Sequence, residues 1–275
     1  MKKTWLYAAG IIVLVLAFYA FYPHKTVLRQ DVRGFALLEL YTSEGCSSCP
    51  PAEELAAVIQ QESTGKPVYV LAFHVDYWDH QGWKDRYSDP AYSQRQKDYS
   101  SWLGTSDIYT PQMVVNGRKE FVGSDERTLR SALDKALATV PAARLTLGAQ
   151  AAGATGSTGS AGAGGSAGAG AAGSAGLKVS YSIDGSVSGG RLFLALVEKS
   201  GVSKVTGGEN GGRTLAHVQI VRSLTSVAAS PATGSVSLAV PAGFTFDPAK
   251  WEVVGFVQNI QTGAVYAANR AELKP

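Results

Sequence analysis

The chain has 275 residues, enough for one or two domains, and a formal net charge of +3 from 25 basic and 22 acidic side chains. That excess is small and is not gathered into a basic stripe, so nothing points to nucleic acid as a partner.

Met1-Lys2-Lys3 precedes an apolar run from residue 5 to residue 22, with no charge before His24 and Lys25. The run is about 18 residues, at the short end of what spans a bilayer. Phe18, Tyr19, Phe21 and Tyr22 crowd its end and leave little room for a small-x-small cleavage site. Residues 1–24 are therefore read as an uncleaved signal anchor in preference to a cleaved signal peptide. The expectation is a single-pass protein of the inner membrane with its folded part in the periplasm, or a secreted protein if the segment is cleaved. In either place a cysteine pair can persist as a disulfide.

From Gly34 the pattern alternates between strand and helix. An apolar strand over residues 35–41 leads into the only two cysteines, Cys46 and Cys49, spaced C-x-x-C. A helix follows, opened by Pro50-Pro51, with Leu55, Val58 and Ile59 on one face. Residues 68–73 form a second apolar strand suited to the centre of a parallel sheet. Ser88-Asp89-Pro90 opens a helix that runs to Leu103. Asn116-Gly117, between β-prone residues 112–115 and 119–122, marks a hairpin. Ser124-Asp125 then caps a helix with Leu129, Leu133, Ala136 and Leu137 on one face.

At Pro141 helical periodicity stops, and about seven short strands follow between glycine-rich turns, which suggests a small sandwich. The Gly/Ala/Ser/Thr tract 148–176 lies between two strand-like runs, so it is expected to be a disordered insertion in a hairpin loop, not the domain linker. The expected architecture has three parts: an anchor at 1–24, an α/β domain at 34–140, and an all-β sandwich-like domain at 141–275.

A cysteine pair where a strand feeds a helix suits thiol–disulfide chemistry, because the helix N-terminus favours a thiolate over a thiol. Cys46 is expected to be the exposed attacking sulfur and Cys49 the more buried resolving one, with Ser47 and Ser48 offering donors to the Cys46 sulfur. An inert structural bridge and a metal site are the competing possibilities. His74, Asp76, Asp79 and His80 follow the second strand on the same sheet edge. Two thiolates and His74 would make Cys46, Cys49 and His74 a conceivable Cu(I) or Zn set. Trp78 and its aromatic neighbours cover this loop or line a substrate groove. Glu44 is expected to be exposed. The glycine-rich run 207–213 lacks the Lys-Ser/Thr of a phosphate loop, and His217 and Arg222 are expected in packing or interdomain contacts.

The order strand, C-x-x-C, helix, strand, helix, proline, hairpin and helix resembles the thioredoxin fold. More closely, Glu44-Gly45-Cys46-Ser47-Ser48-Cys49-Pro50-Pro51, residues 73–78, Tyr109-Thr110-Pro111-Gln112 and Gly208-Glu209-Asn210 through Arg213 and His217 resemble the bacterial secreted family called domain of unknown function 1223. The thioredoxin likeness implies a cis peptide at Thr110-Pro111 facing the disulfide, and a buried acid, Glu39, that moves the proton of the second cysteine. A salt-bridged Glu39 is the alternative. Ser47-Ser48 stands where thioredoxins proper place Gly-Pro, and the proline after Cys49 is shared with copper-handling relatives. The favoured function is thiol–disulfide exchange on protein or small-molecule thiols and disulfides, with Ser47, Ser48, Thr110 and Trp78 as substrate contacts. It needs no cofactor beyond the Cys46–Cys49 disulfide; a redox-inactive interaction scaffold is the opposing class. Exchange requires one sulfur open to partners and the pair placed beside Pro111.

Overall fold

Every side chain of the first strand, β1 (Ala36–Thr42), is buried, so the sheet it enters is covered on both faces. The structure, a computed structural model, describes residues 34–151, 176–242 and 247–274. These fall within one compact unit, Val32–Pro275. After β1 come α1 (Pro50–Glu62), β2 (Val68–His74), α2 (Pro90–Leu103), β3 (Gln112–Val115), β4 (Lys119–Val122) and α3 (Glu126–Ala138). Strands then follow without helices among the described residues: β5 (Ala143–Ala151), β6 (Leu177–Gly185), β7 (Gly190–Lys204), β8 (Thr214–Ala228), β9 (Thr233–Leu238), β10 (Trp251–Asn259), β11 (Val265–Ala271) and β12 (Leu273–Lys274).

Alternation along β1 decides what packs where. Leu38 and Leu40 point to the face covered by α1 and α3, through Ala52, Ala56, Ile59, Leu129 and Leu133. Leu37 and Tyr41 point to the opposite face, where α2 supplies Tyr92 and Tyr99. The buried stripe of α1 is Ala52, Ala56 and Ile59, while Val58 stands 43% exposed. Small residues on that stripe let the helix, and the cysteines at its start, lie close to the sheet.

The expected division into an α/β thioredoxin-like domain and a separate all-β sandwich is corrected by the sheet topology. One eight-stranded mixed sheet runs β11-β10-β7-β8-β2-β1-β3-β4. Its β1–β2 pair is parallel, and β2 meets β8 in parallel at Ala72↔Ile220. Strands from beyond residue 141 therefore extend the sheet that β1 and β2 begin, and the molecule is mostly β. A second sheet, β12-β5-β6-β9, packs through Leu145, Val179 and Ile183 onto Leu194, Leu196 and Val253 of the large one. The start of the expected insertion is also corrected. β5 runs through Ala151, and Gly148 pairs with Ser180; most of the rest of the tract lies outside the described residues.

The expected single-pass anchor and inner-membrane, periplasmic placement are not supported. Among the described residues no helix is long and apolar enough to cross a membrane. Segment 1–24, on which that expectation was placed, lies outside the described residues.

Local signals hold where they are strong. Asn116 and Gly117 take φ of 50° and 63°, the two positive values a type I′ hairpin turn needs. Asp89 caps α2, its carboxylate accepting from Ala91 N at 2.8 Å. Asp89→Ala is expected to lower stability by about 1 kcal/mol, read as a lower urea midpoint with an unchanged slope; an unchanged midpoint would show that Pro90 alone sets the helix start.

Candidate functional site

Residues 43–49 turn the chain from β1 into α1, with Cys46 N donating to Ser43 O and Cys49 N to Cys46 O, both at 3.2 Å. Cys46 and Cys49 are joined in a disulfide. Cys49 is the N-cap of α1, so the pair sits at the positive end of that helix. Ser48 Oγ lies 3.3 Å from Cys46 Sγ and donates to Thr110 O at 3.5 Å. Thr110–Pro111 is cis, as the resemblance implies. Trp78 Nε1 donates to Thr110 Oγ1 at 2.8 Å. A Cβ built on Gly123 would stand 3.1 Å from Ala52 Cβ and 3.2 Å from Pro111 Cβ, so Pro111 lies against the first turn of α1. Cys46, Cys49, Ser48, Thr110, Pro111 and Trp78 thus come together.

The expected exposure of Cys46 is corrected. Both cysteines are 0% exposed, and Ser47 and Ser48 are the exposed residues of the motif. The cover comes from the β7–β8 hairpin, whose loop folds back over the turn. Glu209 Oε2 accepts from Ser47 N at 2.9 Å. Hydrogen bonds from the Ser47 backbone and side chain hold its carboxyl below the usual carboxylate range. Asn210, fully buried, donates through Nδ2 to both Glu44 O and Cys46 O at 2.9 Å, and Arg213 holds the Asn210 amide oxygen at 2.7 Å.

Glu39 does not serve the cysteines. It alternates with Leu38 and Leu40 and so faces away from α1. Arg95 Nε binds it at 2.7 Å and Tyr99 donates to its other oxygen. The salt-bridged alternative is the observed one. The acid beside the cysteines is Glu53 in the first turn of α1, buried, with Thr42 Oγ1 donating to Oε1 at 2.7 Å and His217 Nδ1 2.6 Å from Oε2.

Glu44, expected in solvent, is 0% exposed. Its Oε2 accepts from Trp83 Nε1 at 2.7 Å, and its Oε1 lies 3.3 Å from His217 Nε2. Burial works against charge on His217, but hydrogen bonds to Glu44 and Glu53 and their charges outweigh it and lift the imidazole to about 10. His74 is also fully buried. Its Nδ1 is 2.7 Å from Asp85 Oδ2, and its ring lies 5.0 Å from that of His217. Burial raises Asp85, yet His74 and the amides of Glu44 and Tyr87 hold it below the usual carboxylate range. Of the other residues after β2, Asp76 pairs with Ser93, Asp79 accepts from Ser88 at 2.7 Å, and His80 is exposed. Arg222 pairs with Glu198.

Residue-by-residue reading leaves Glu53 and Asp85 aside, takes the run 207–213 with Glu209 and Asn210 only as unlike a phosphate loop, and expects His217 in packing or interdomain contacts. Glu53, Asp85, Glu209 and Asn210 are chemically ordinary until the chain folds. Yet the string Gly208-Glu209-Asn210 through His217 was part of the family resemblance, which was the available signal. With the sulfurs bonded to each other, neither can act as a thiolate ligand beside His74.

The family model described as "Protein of unknown function (DUF1223)" matches residues 37–258. An X-ray crystal structure of a protein from Agrobacterium tumefaciens is similar over 88% of this chain and 95% of that chain, with 24% identity and a TM-score of 0.61, a likeness of fold. A domain of the outer membrane lipoprotein Omp28 from Porphyromonas gingivalis aligns over 50% of this chain and 92% of that one, at 13% identity; its TM-score of 0.24 is too low to build on. No curated protein matches the chain.

Proposed function

The chain belongs to the DUF1223 family, and we propose that it performs thiol–disulfide exchange through Cys46 and Cys49, with the 205–213 loop governing access. The observation that supports this best is the disulfide closed at the start of α1, with the Ser48 hydroxyl on the Cys46 sulfur and cis Thr110–Pro111 alongside. A helix N-terminus stabilises a thiolate at this place, and the Ser48 hydroxyl, whose proton goes to Thr110 O beside the disulfide, can turn it to the Cys46 sulfur once the pair is reduced.

In the reduced protein the Cys46 thiolate attacks one sulfur of a partner disulfide. The partner's S–S bond breaks, and its other sulfur leaves as a thiolate and takes a proton. Cys49, deprotonated, then attacks the Cys46 sulfur, the mixed bond breaks, and the partner departs as a dithiol. The pair has given up two electrons. The reverse sequence oxidises a partner dithiol, and relative reduction potentials set which direction runs. Ser47, Ser48, Thr110 and Trp78 form the rim that a protein or small-molecule thiol would meet. Both sulfurs are buried in the disulfide state, so exchange needs the loop to lift.

Asn210→Ala tests this directly. It removes two hydrogen bonds that pin the loop to residues 44 and 46, each worth about 0.5–1.5 kcal/mol. Reduction of the folded full chain by dithiothreitol is expected to quicken about tenfold, as 1.4 kcal/mol corresponds to a factor of ten. A disulfide that resists reduction in both proteins until they unfold would be an inert bridge.

A further inference from the structure

Near the disulfide, His74 Nε2 is buried without a hydrogen-bond partner, while Glu44 Oε1 and His217 Nε2 meet each other at 3.3 Å as an ion pair without hydrogen-bond geometry. Each belongs to a side chain whose other end is firmly held. Glu44 Oε2 accepts from Trp83, His74 Nδ1 is bonded to Asp85, and His217 Nδ1 is bonded to Glu53. Burying a polar atom without a partner is costly, and an unpartnered His74 Nε2 beside a second buried imidazole and two buried carboxylates needs a physical reason. An imidazole whose far nitrogen is held by a carboxylate is the arrangement that presents the near nitrogen to a cation, with tautomer and ring orientation already fixed.

We infer that Glu53, His74 and His217, with Glu44 at their edge, form a binding site for a borderline divalent cation such as Zn2+. One ligand atom from each of Glu53, His74 and His217 lies within 4.8 Å of the other two. Asp85 occupies Nδ1 of His74, so Nε2 is the atom that histidine has to give. Around zinc, bonds of about 2.0–2.2 Å bring ligand atoms to roughly 3.3–3.5 Å of one another; from their present spacing of up to 4.8 Å the ligand atoms close in as the cation displaces the proton that His217 shares with its two carboxylates. The mix of two imidazoles and carboxylates suits zinc better than magnesium or calcium, which prefer all-oxygen cages. Two carboxylates also balance the charge of a dication in a pocket closed to water. The four side chains come from the turn after β1, from α1, from β2 and from β8, so the cation would tie the β7–β8 hairpin to the cysteine turn.

This site does not rest on thiol chemistry, and its test keeps the two apart. The full chain, disulfide intact and stripped with a chelator, is titrated with Zn2+ by calorimetry and with Co2+ by visible absorption. The expected result is one Zn2+ per chain and cobalt d–d bands without a sulfur-to-metal charge-transfer band. His74→Gln should abolish stoichiometric binding, and Glu53→Gln should weaken it at least tenfold, each variant checked for native near-ultraviolet dichroism. If His74→Gln fails to fold, Glu53→Gln decides. Absence of stoichiometric binding, binding unchanged in a folded variant, or binding that appears only after Cys46 and Cys49 are reduced would each overturn the assignment. The last result would place the metal on the sulfurs instead.

Discussion

Cys46→Ser is expected to bring exchange with oxidised glutathione down to the level of buffer alone, whereas Cys49→Ser should retain the first half of the reaction and stall. The asymmetry follows from place. Cys46 lies next to the exposed Ser47 and Ser48, carries the Ser48 hydroxyl 3.3 Å from its sulfur, and offers its carbonyl to Asn210, the residue that must move. Cys49 is the cap of α1, three residues before the Ala52 that packs on the sheet. A partner arriving from the loop side therefore meets Cys46 first. With Cys49 replaced, nothing displaces the partner, and a mixed disulfide should accumulate as one added glutathione by mass. Stability is a manageable complication. A disulfide between residues separated by three restricts the unfolded chain by only about 2 kcal/mol, and both variants lose it equally. Differences between them then report chemistry. Adducts on Cys46→Ser but not Cys49→Ser would exchange the two roles, and unaltered turnover in both would remove the pair from the chemistry.

Legibility in the sequence followed the range of the interactions involved. Elements 36–138 were readable because their determinants are local: an apolar run, a proline-opened helix, Asp89 and Asp125 as caps, and Asn116-Gly117 with two positive φ values. The continuity of the large sheet was not, because β2 recognises β8 through a pairing remote in sequence, and hydrophobic alternation does not name a strand's neighbour. β7 continues through its own Ser200-Gly201, a pair that in sequence resembles a turn. In the folded chain Gly201 lies mid-strand because a Cβ there would stand 2.4 Å from the Tyr87 hydroxyl. Strand glycines of this kind mark close approach as often as a turn. The site divided in the same way. Cys46, Cys49 and Pro111 announce themselves by spacing and residue type. Glu53 and His217 acquire meaning only when the hairpin lays β8 against α1, and of the two readings open for Glu39 the salt-bridged one holds because the side chain faces α2, a choice that a fully buried strand does not reveal in sequence.

That face makes Glu39→Leu the substitution with the largest expected cost in stability, about 3–5 kcal/mol. Arg95 is 6% exposed and has Glu39, Gln258 and Tyr99 as hydrogen-bond partners, with Phe73, Phe193 and Phe256 ringed around its guanidinium at 5.0–5.6 Å. Aromatic faces attract a cation, but a desolvated contact of this kind is worth about 2 kcal/mol, less than the penalty of burying a charge with no counter-ion. Burial disfavours the charged guanidinium, and Glu39 is the chief influence holding it ionised. Removing the carboxylate therefore strands a charge; it does not merely delete a bond. The decisive comparison is Glu39→Leu/Arg95→Met. If stranded charge is the cause, the double variant should recover most of the loss in urea unfolding, because hydrophobic side chains of similar volume replace buried ion pairs at little or no cost. Simple additivity of the two single effects would mean that the packing of each side chain, and not their pairing, holds α2 to β1.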